Sequence, residues 1–124
     1  MGYIKTPLKN LIKVYIVYII VLSGGYQLEN DKLLDFTWDK EKYDKNYQKH
    51  GIRFEEASTV FYDENMIYKM DVWHSVNEER YIVIGMSNNT RLLMVCHCIG
   101  YGTSVRIISA RRANKSETQE YERR

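Results

Sequence analysis

Residues 36–51 read FTWDKEKYDKNYQKHG, and this stretch decides how the fold begins. We interpret its first three residues as a short strand and the rest as a helix. Asp39 is a good N-cap, because its carboxylate can accept hydrogen bonds from the unpaired amides of the first helical turn. Gly51 suits the left-handed residue that closes a helix, because it has no Cβ to clash there.

Four polar side chains of this helix are spaced at i, i+4, i+7 and i+8, which places them on one face. They are Lys42, Asn46, Lys49 and His50. A solvated surface is the more common explanation for such a face. Two ammonium groups, an amide and an imidazole on one face are nevertheless unusual for solubility alone, so a functional face stays open as the second explanation.

Further short motifs follow this stretch along the chain. In order, the motifs are Trp38-Asp39, Lys42, Asn46, Lys49-His50-Gly51, Phe54-Glu55-Glu56-Ala57, His74-Ser75, Glu79-Arg80, Gly85, the run from Arg106 to Ala113, and Glu117 with Tyr121. Together they resemble the BrnT family, the toxins of type II toxin–antitoxin pairs. The resemblance extends roughly from Leu34 to Arg124. It depends on the order of the motifs, because no single motif is diagnostic.

The resemblance implies a RelE-like fold and a ribonuclease that cleaves cellular RNA and inhibits growth. It also implies a BrnA-like antitoxin that silences the toxin, and a complex that binds its own promoter DNA chiefly through the antitoxin. A toxin dimer within a heterotetramer fits this arrangement. We expect a cytoplasmic protein with no cofactor, no metal and no membrane partner.

The charge distribution limits where RNA could bind. The formal net charge of +2 over 124 residues argues neither for nor against a nucleic-acid partner. The excess lies in residues 1–32, because basic and acidic residues are equal in number from Leu33 onward. Residues 106–124 hold six basic and three acidic residues. A phosphate-binding surface would therefore be a local patch, drawn mainly from this end and from the first helix.

Residues 1–32 differ from the rest of the chain, which we expect to form one domain over residues 33–124. Lysines precede an apolar run at residues 14–22, which is too short for a bilayer-spanning helix of about 20 residues. This pattern also matches a secretory signal, although β-branched residues and tyrosines disfavour the helix that such signals form. Our hypothesis is an upstream read-through, with the natural start at Leu33 and a disordered tail if the segment is translated. N-terminal sequencing that begins at Met1 would contradict it.

The remaining pattern predicts an α+β domain: a short strand, two helices, an antiparallel β-meander of about four strands and a C-terminal helix. The second helix is predicted at residues 53–62, the strands at 66–70, 79–86, 91–98 and 103–110, and the last helix at 114–124. Short turns join the strands and leave no room for crossover helices. Residues 91–98 are almost all apolar, so we expect this strand at the centre of the sheet. Ser116 and Gln119 form a candidate capping box for the last helix.

Cys96 and Cys98 flank His97 in the central strand. Cysteines this close cannot usually form an unstrained disulfide. Consecutive strand residues point to alternating faces, and no second ligand pair completes a tetrahedral metal site. We therefore interpret both cysteines as small core residues in a reducing compartment, and His97 as a hydrogen-bonded core histidine.

Without a metal ligand set, RNA cleavage would have to be metal-independent. The 2′-hydroxyl then attacks the adjacent phosphorus, while the protein removes one proton, stabilises the phosphate charge and protonates the leaving oxygen. Imidazole suits the proton transfers because its pKa is about 6.5. Arginine suits the phosphate because its planar fork binds two oxygens at once and stays charged.

The proposed catalytic residues are His50 as acid or base, Lys49 and Arg80 as transition-state cations, and Arg111 as phosphate clamp. The residues proposed to position the RNA are Lys42, Asn46, Arg106 and Arg112. Structural explanations remain open beside these roles. His50 could cap its helix, and Arg111 could form an ion pair with Glu117, Glu120 or an acid of the second helix.

Other side chains have weaker claims to an RNA site. His74 could bind RNA or fix its own loop, and we favour the loop. Four aromatic residues could stack on an unpaired base, although such residues more often belong to a core or its rim. These are Trp38, Trp73, Tyr101 and Tyr121.

Two other function classes compete with a toxin. The first is a catalytically inactive protein-binding module of the same fold that acts only within a toxin–antitoxin complex. Growth arrest on induction would favour the toxin over this module. The second is a secreted or membrane-tethered protein. The neutral charge of residues 33–124, the unpaired cysteines and the late start of the resemblance all argue against it.

Overall fold

A computed structural model describes residues 34–75, 77–100 and 104–123. The strands are β1 (Asp35–Trp38), β2 (Ile67–Met70), β3 (Tyr81–Met86), β4 (Leu92–Ile99) and β5 (Ser104–Arg112). The helices are α1 (Lys40–His50), α2 (Phe54–Thr59) and α3 (Lys115–Arg123), and 3-10 turns lie at Val60–Tyr62 and Val72–His74. The predicted leader at residues 1–32 lies outside the described residues, as does most of the turn predicted at residues 100–102.

The strands form one sheet in the order β1-β5-β4-β3-β2. From β2 to β5, consecutive strands pair antiparallel, as their short connections predicted. β4 lies at the centre, as its apolar sequence predicted, and the α+β architecture is confirmed. β1 pairs parallel to β5, with Asp35 opposite Ser104. The sheet is therefore mixed, which local patterns did not indicate because this pairing joins strands far apart in sequence.

The helix predicted within residues 36–51 is confirmed at both ends. The Asp39 carboxylate accepts a hydrogen bond from the Lys42 main-chain N–H at 3.0 Å. This bond satisfies one of the amides that a helix N-terminus leaves unpaired. Gly51 closes α1 with a φ of 69°, and its N–H donates to the Tyr47 carbonyl at 2.8 Å. Glycine is favoured here because a Cβ is strained at positive φ.

α1 and α2 pack on one face of the sheet and enclose the main core. Phe54 of α2 and the adjoining Val60 and Phe61 are fully buried. Sequence periodicity predicted this apolar stripe on one continuous helix. In the structure the α-helix ends at Thr59, and the stripe continues on a 3-10 turn.

His97 of β4 is fully buried in this core. Its Nε2 lies 2.7 Å from the Tyr68 hydroxyl and its Nδ1 lies 3.2 Å from the Val95 carbonyl oxygen. The Phe61 ring packs against it in a T-shaped arrangement, with 4.7 Å between the ring centroids. Burial lowers the pKa of His97 to about 4. The predicted core histidine is confirmed, and its ring is neutral at neutral pH.

α3 packs on the opposite face of the sheet through Tyr121. The Tyr121 ring is buried beside Ile67 and Ile84, and its hydroxyl donates to the Asp63 carboxylate at 2.6 Å. These contacts attach α3 to β2 and β3. Tyr121 packs near Ile67 and Ile84, away from the end of this face where β5 begins, and that end carries Arg106.

The cap of α3 differs from the prediction. The Glu117 N–H donates to the Asn114 side-chain oxygen, and the Asn114 N–H donates to the Glu117 carboxylate, both at 2.8 Å. This reciprocal pair is a capping box. The box predicted at Ser116 and Gln119 is wrong, because Asn114 offers a side-chain acceptor two residues earlier, directly before the first helical residue.

Cys96 and Cys98 lie on the face of the sheet that α3 partly covers, next to Ile108. Both are free and buried. Burial raises the pKa of the Cys96 thiol to about 11 and also raises the pKa of Cys98. Thiols that stay protonated are poor nucleophiles, which fits their interpretation as small core residues.

Candidate active site

The polar face predicted on α1 is divided by burial. Lys42 and Lys49 are exposed, His50 is half-buried and Asn46 is buried. Lys42 follows the Asp39 cap at the start of the helix, whereas Lys49 and His50 lie in its last turn. The four side chains therefore do not form one continuous surface for RNA.

Asn46 takes the place of a neighbouring strand at the edge of β5. β1 pairs with β5 only as far as Ile107. Beyond that point the Asn46 side chain donates to the Ala110 carbonyl at 2.9 Å and accepts from the Ala110 N–H at 3.0 Å. Its nitrogen also donates to the Ile52 carbonyl at 3.3 Å. The predicted contact of Asn46 with RNA does not fit this geometry, because main-chain groups occupy its amide.

The Asn46 contact holds the last turn of α1 beside the end of β5, where Lys49, His50 and Arg111 form a first polar cluster. Burial lowers the pKa of His50, and the positive charges of Lys49 and Arg111 lower it further. A neutral imidazole can accept a proton from a substrate. Lys49 and Arg111 are near enough for their charges to act on His50, and this is the observation that groups these three predicted catalytic residues.

Arg111 already has a carboxylate partner in this cluster. Its two terminal nitrogens donate to the two carboxylate oxygens of Glu117 at 2.8 and 2.9 Å. Burial would raise the pKa of Glu117, but the bonds from Arg111 and the Asn114 amide outweigh it and lower that pKa. This ion pair is the structural alternative predicted for Arg111. Arg112, the last residue of β5, is exposed.

Arg80 and Arg106 belong to a second polar cluster, centred on Glu78. Arg106 donates to one Glu78 carboxylate oxygen at 2.6 Å, and an Arg80 nitrogen lies 3.7 Å from the other. The hydrogen bond from Arg106 is the main reason why the pKa of Glu78 is lowered. Within the part of the chain that the structure describes, the Arg80 Nε is a buried nitrogen without a hydrogen-bond partner.

A histidine–carboxylate pair lies beside this cluster. The His74 Nδ1 lies 2.8 Å from the buried Asp71 carboxylate, while the His74 side chain itself is 66% exposed. A carboxylate at Nδ1 orients an imidazole ring and leaves Nε2 available to a substrate. The hydrogen bond also fixes the loop, as sequence reasoning favoured, and this role does not conflict with a chemical one.

An open cleft of about 350 Å³ joins these groups. Its lining residues are Trp73, His74, Asn77, Glu78 and Arg80. The cleft therefore presents an imidazole, a carboxylate and a guanidinium together, and Arg106 contacts the same carboxylate. These groups provide an acid, a base and cations within a single concave site.

Sequence reasoning considered neither Asp71 nor Glu78 for this site. One signal was present in the sequence, because the i, i+3 spacing of Asp71 and His74 brings the two side chains together in a turn. The contact of Arg106 with Glu78 gave no such signal, because it joins β5 to a loop that is far away in the sequence.

The four predicted catalytic residues do not form a single site. Arg106, which marks the second cluster, lies opposite Cys98, whereas Arg111 of the first cluster lies opposite Met94. At about 3.3 Å per residue, the two levels are about 13 Å apart along β4. Arg80 therefore lies with Arg106, and apart from Lys49, His50 and Arg111.

The aromatic candidates differ in exposure. Trp38 stacks on Tyr43, with 5.7 Å between ring centroids, and lies at the rim of the core. Tyr121 is buried, and Tyr101 lies outside the described residues. Trp73 is 88% exposed, and it is the aromatic residue that lines the cleft.

Comparison with known families defines the class of this protein. Residues 38–117 match a family model of ribonuclease toxins from type II toxin–antitoxin systems. The match covers more than half of the chain and includes both polar clusters. The chain belongs to the BrnT family, described as "Ribonuclease toxin, BrnT, of type II toxin-antitoxin system". The resemblance predicted from the sequence is confirmed, and an antitoxin partner is part of this family description.

Comparison with solved structures finds the Brucella abortus ribonuclease toxin BrnT. The sequence identity is 21% and the TM-score is 0.49, over 66% of this chain and 99% of the Brucella chain. No curated protein matches the chain.

Metal-ligand clusters and membrane-spanning helices are both absent from the described residues. In residues 34–75, 77–100 and 104–123, no group of three or more His, Cys, Asp or Glu side chains could hold a metal ion. No helix in these ranges is long and apolar enough to cross a membrane.

Proposed function

We propose that this protein cleaves RNA without a metal ion, with the chemistry in the cleft lined by His74, Glu78 and Arg80. One observation carries the proposal: an imidazole, a carboxylate and a guanidinium line one open cleft, and a second guanidinium binds the same carboxylate. A metal-free cleavage needs these groups, because two protons must move while charge develops on the phosphate.

Each group has a role in this reaction. Glu78 takes the proton of the 2′-hydroxyl, whose oxygen forms a bond to phosphorus. The bond from phosphorus to the 5′-oxygen breaks, and protonated His74 gives its proton to that oxygen. Arg80 and Arg106 bind the non-bridging oxygens, for which their planar forks are suited. The products are a 2′,3′-cyclic phosphate and a 5′-hydroxyl.

The ion pair between Arg106 and Glu78 fits this mechanism. A hydrogen bond from Arg106 holds the pKa of Glu78 below its usual value. When a phosphate takes the guanidinium, Glu78 loses this hydrogen bond and its pKa rises. The carboxylate therefore becomes a stronger base when the substrate is bound.

The cluster of Lys49, His50 and Arg111 is the second candidate location for the same chemistry. The observation in its favour is the lowered pKa of His50, which keeps the imidazole neutral beside two cations. In this version His50 acts as acid or base, Lys49 as transition-state cation and Arg111 as phosphate clamp. The exposed Lys42 and Arg112 would position the RNA backbone in either version.

Cleavage of a labelled single-stranded RNA in EDTA distinguishes the two locations. The full chain is compared with His74→Ala and Arg80→Ala, and with His50→Ala and Arg111→Ala as a matched pair. We expect His74→Ala and Arg80→Ala each to lower kcat/KM by at least about 100-fold. His50→Ala and Arg111→Ala should each lower it by less than about threefold. The reverse result would move the site to the end of α1. No cleavage by the folded parent would favour the inactive binding module.

Growth assays test the same choice in cells. Induction of the full chain should arrest growth, and the His74→Ala, Arg80→Ala double variant should not. Arrest by both proteins at equal abundance would contradict catalysis in the cleft. It would favour a protein that acts by binding alone.

We also propose that the antitoxin is BrnA-like and neutralises the toxin in a cytoplasmic complex. Promoter DNA would be bound through the antitoxin, and two toxin chains would join within a heterotetramer. Residues 33–124 would form the toxin domain. Co-expression with the antitoxin should restore growth, and light scattering of the purified complex should give the mass of a heterotetramer. A 1:1 heterodimer would contradict the proposed stoichiometry.

A further inference from the structure

The 3-10 turn Val72–His74 presents two apolar side chains to solvent. Val72 is 71% exposed and Trp73 is 88% exposed. Tryptophan is usually among the more buried residues, so an indole with this exposure needs an explanation. The other tryptophan of the chain, Trp38, packs against aromatic rings.

This turn is fixed at both ends. The Asp71 N–H donates to the Arg80 carbonyl at 2.7 Å. The Ser75 hydroxyl donates to the Asp71 carbonyl at 2.6 Å and accepts from the Arg80 N–H at 2.9 Å. His74 is bound to the Asp71 carboxylate. The backbone that carries Trp73 is therefore ordered, so little backbone entropy is left to lose on binding.

The surroundings of Trp73 match a nucleotide. Trp73 lines the same cleft as His74, Glu78 and Arg80. Proteins that bind single-stranded nucleic acid combine cations for the backbone with exposed aromatic faces for the bases. A protein partner would instead favour a patch whose centre is free of charged residues, whereas this cleft holds a carboxylate and a guanidinium.

We propose that Trp73 stacks on an unpaired base next to the scissile phosphate, so that the substrate is single-stranded RNA. This inference rests on the proposed cleavage in the cleft. Bases inside a duplex have both faces covered by their neighbours, so an indole cannot stack on one without unstacking it. Trp73 therefore makes the protein prefer single-stranded over duplex RNA. Arg80 and Arg106 do not distinguish the two, because they bind phosphate groups that both kinds of RNA contain.

Binding without cleavage gives the first test. The full chain with Trp38→Phe keeps Trp73 as its single tryptophan, because the chain has two. An uncleavable 2′-O-methyl single strand should quench its fluorescence. The same sequence as a blunt duplex, or a strand with abasic sites in place of bases, should bind about 10-fold more weakly or without quenching. Equal quenching by the duplex or the abasic strand would overturn the proposal.

Cleavage gives the second test. Trp73→Ala should raise KM for the single strand by about 10-fold or more, Trp73→Phe should restore most of the loss, and Val72→Ala should change KM little. Replacing the bases beside the cleavage position with abasic sites should raise the KM of the parent protein. The same replacement should leave the KM of Trp73→Ala unchanged, because this variant has no indole to stack on a base. Unchanged KM in Trp73→Ala would overturn the inference and leave the ribonuclease in place. Strand-specific quenching without any cleavage would uphold the base contact and contradict the proposed function.

One further outcome points to a protein at this position. Trp73→Ala with normal KM but lost neutralisation by the antitoxin would overturn the base contact and assign Trp73 to the antitoxin interface. The Val72→Ala variant serves as the control, because it removes another exposed apolar side chain from the same turn and leaves Trp73 in place.

Discussion

At the scale of single residues, burial separates the three histidines. His97 is enclosed by aromatic rings and bound to the Tyr68 hydroxyl. His74 is mostly exposed, and its ring is oriented by a buried carboxylate. His50 lies between these two in exposure and beside two cations. His97 is therefore a structural residue of the core, whereas His74 and His50 lie in environments suited to proton transfer.

The burial of His97 makes the stability of the protein depend on pH. Its pKa is about 4 in the folded chain and about 6.5 in an unfolded chain. As the pH falls below about 6.5, His97 becomes protonated in the unfolded chain but stays neutral in the folded chain. The free energy of unfolding therefore decreases until about pH 4, where the folded chain binds the proton as well. The total loss between pH 7 and 4 is about 3 kcal/mol.

Denaturant unfolding of His97→Phe at pH 7 and 4 tests this prediction. The variant should lose about 3 kcal/mol less than the parent over this range, because its ring does not titrate. Tyr68→Phe is the matched control, since it removes the hydrogen-bond partner but keeps the histidine. An equal decline in His97→Phe and the parent would show that other groups set the pH dependence.

At the scale of secondary-structure elements, the attachment of α1 depends on one side chain. Asn46 pairs with both main-chain groups of Ala110 and with the Ile52 carbonyl. Asn46→Ala leaves these buried groups unpaired, so we expect a loss of about 3 kcal/mol in the free energy of unfolding. Gln48→Ala, on the exposed side of the same helix, should cost less than about 0.5 kcal/mol. A loss below about 1 kcal/mol in Asn46→Ala would mean that core packing alone holds α1.

The start of α3 offers a comparison between two candidate caps. Asn114→Ala removes the acceptor for the Glu117 N–H, so thermal or denaturant unfolding should show a loss of about 1 kcal/mol. Ser116→Ala should have almost no effect, because its side chain lies within the first turn and is exposed. A larger loss in Ser116→Ala than in Asn114→Ala would restore the cap predicted from the sequence.

At the scale of the whole molecule, local patterns predicted the features that depend on neighbouring residues. The Asp39 cap, the Gly51 helix end and the central place of β4 all follow from short stretches of sequence. The parallel pairing of β1 with β5 does not, because it is set by which edge of the finished sheet remains free. Local pattern could not show that Asn46 would be buried either, since its partner Ala110 lies in the last strand.

The candidate site was predictable only in part, for the same reason. Arginines and histidines were identified as suitable groups, but their grouping depends on the register of β4 and β5. That register places Arg106 opposite Cys98, beside the loop with Glu78, and Arg111 opposite Met94, which lies four residues before Cys98 on β4. The sequence therefore indicated the chemistry, and the long-range contacts decided which residues share a cleft.

The ends of the RNA products give the most direct measurement of the proposed chemistry. The full chain, purified free of antitoxin, is incubated in EDTA with a single-stranded RNA, and the new termini are identified by mass spectrometry. Attack by the 2′-hydroxyl, with Glu78 and His74 moving the protons, predicts 2′,3′-cyclic phosphate and 5′-hydroxyl ends, and no cut on the 3′ side of a 2′-deoxy nucleotide. Products with 3′-hydroxyl and 5′-phosphate ends that form only when Mg²⁺ is added would contradict a metal-independent ribonuclease in this cleft.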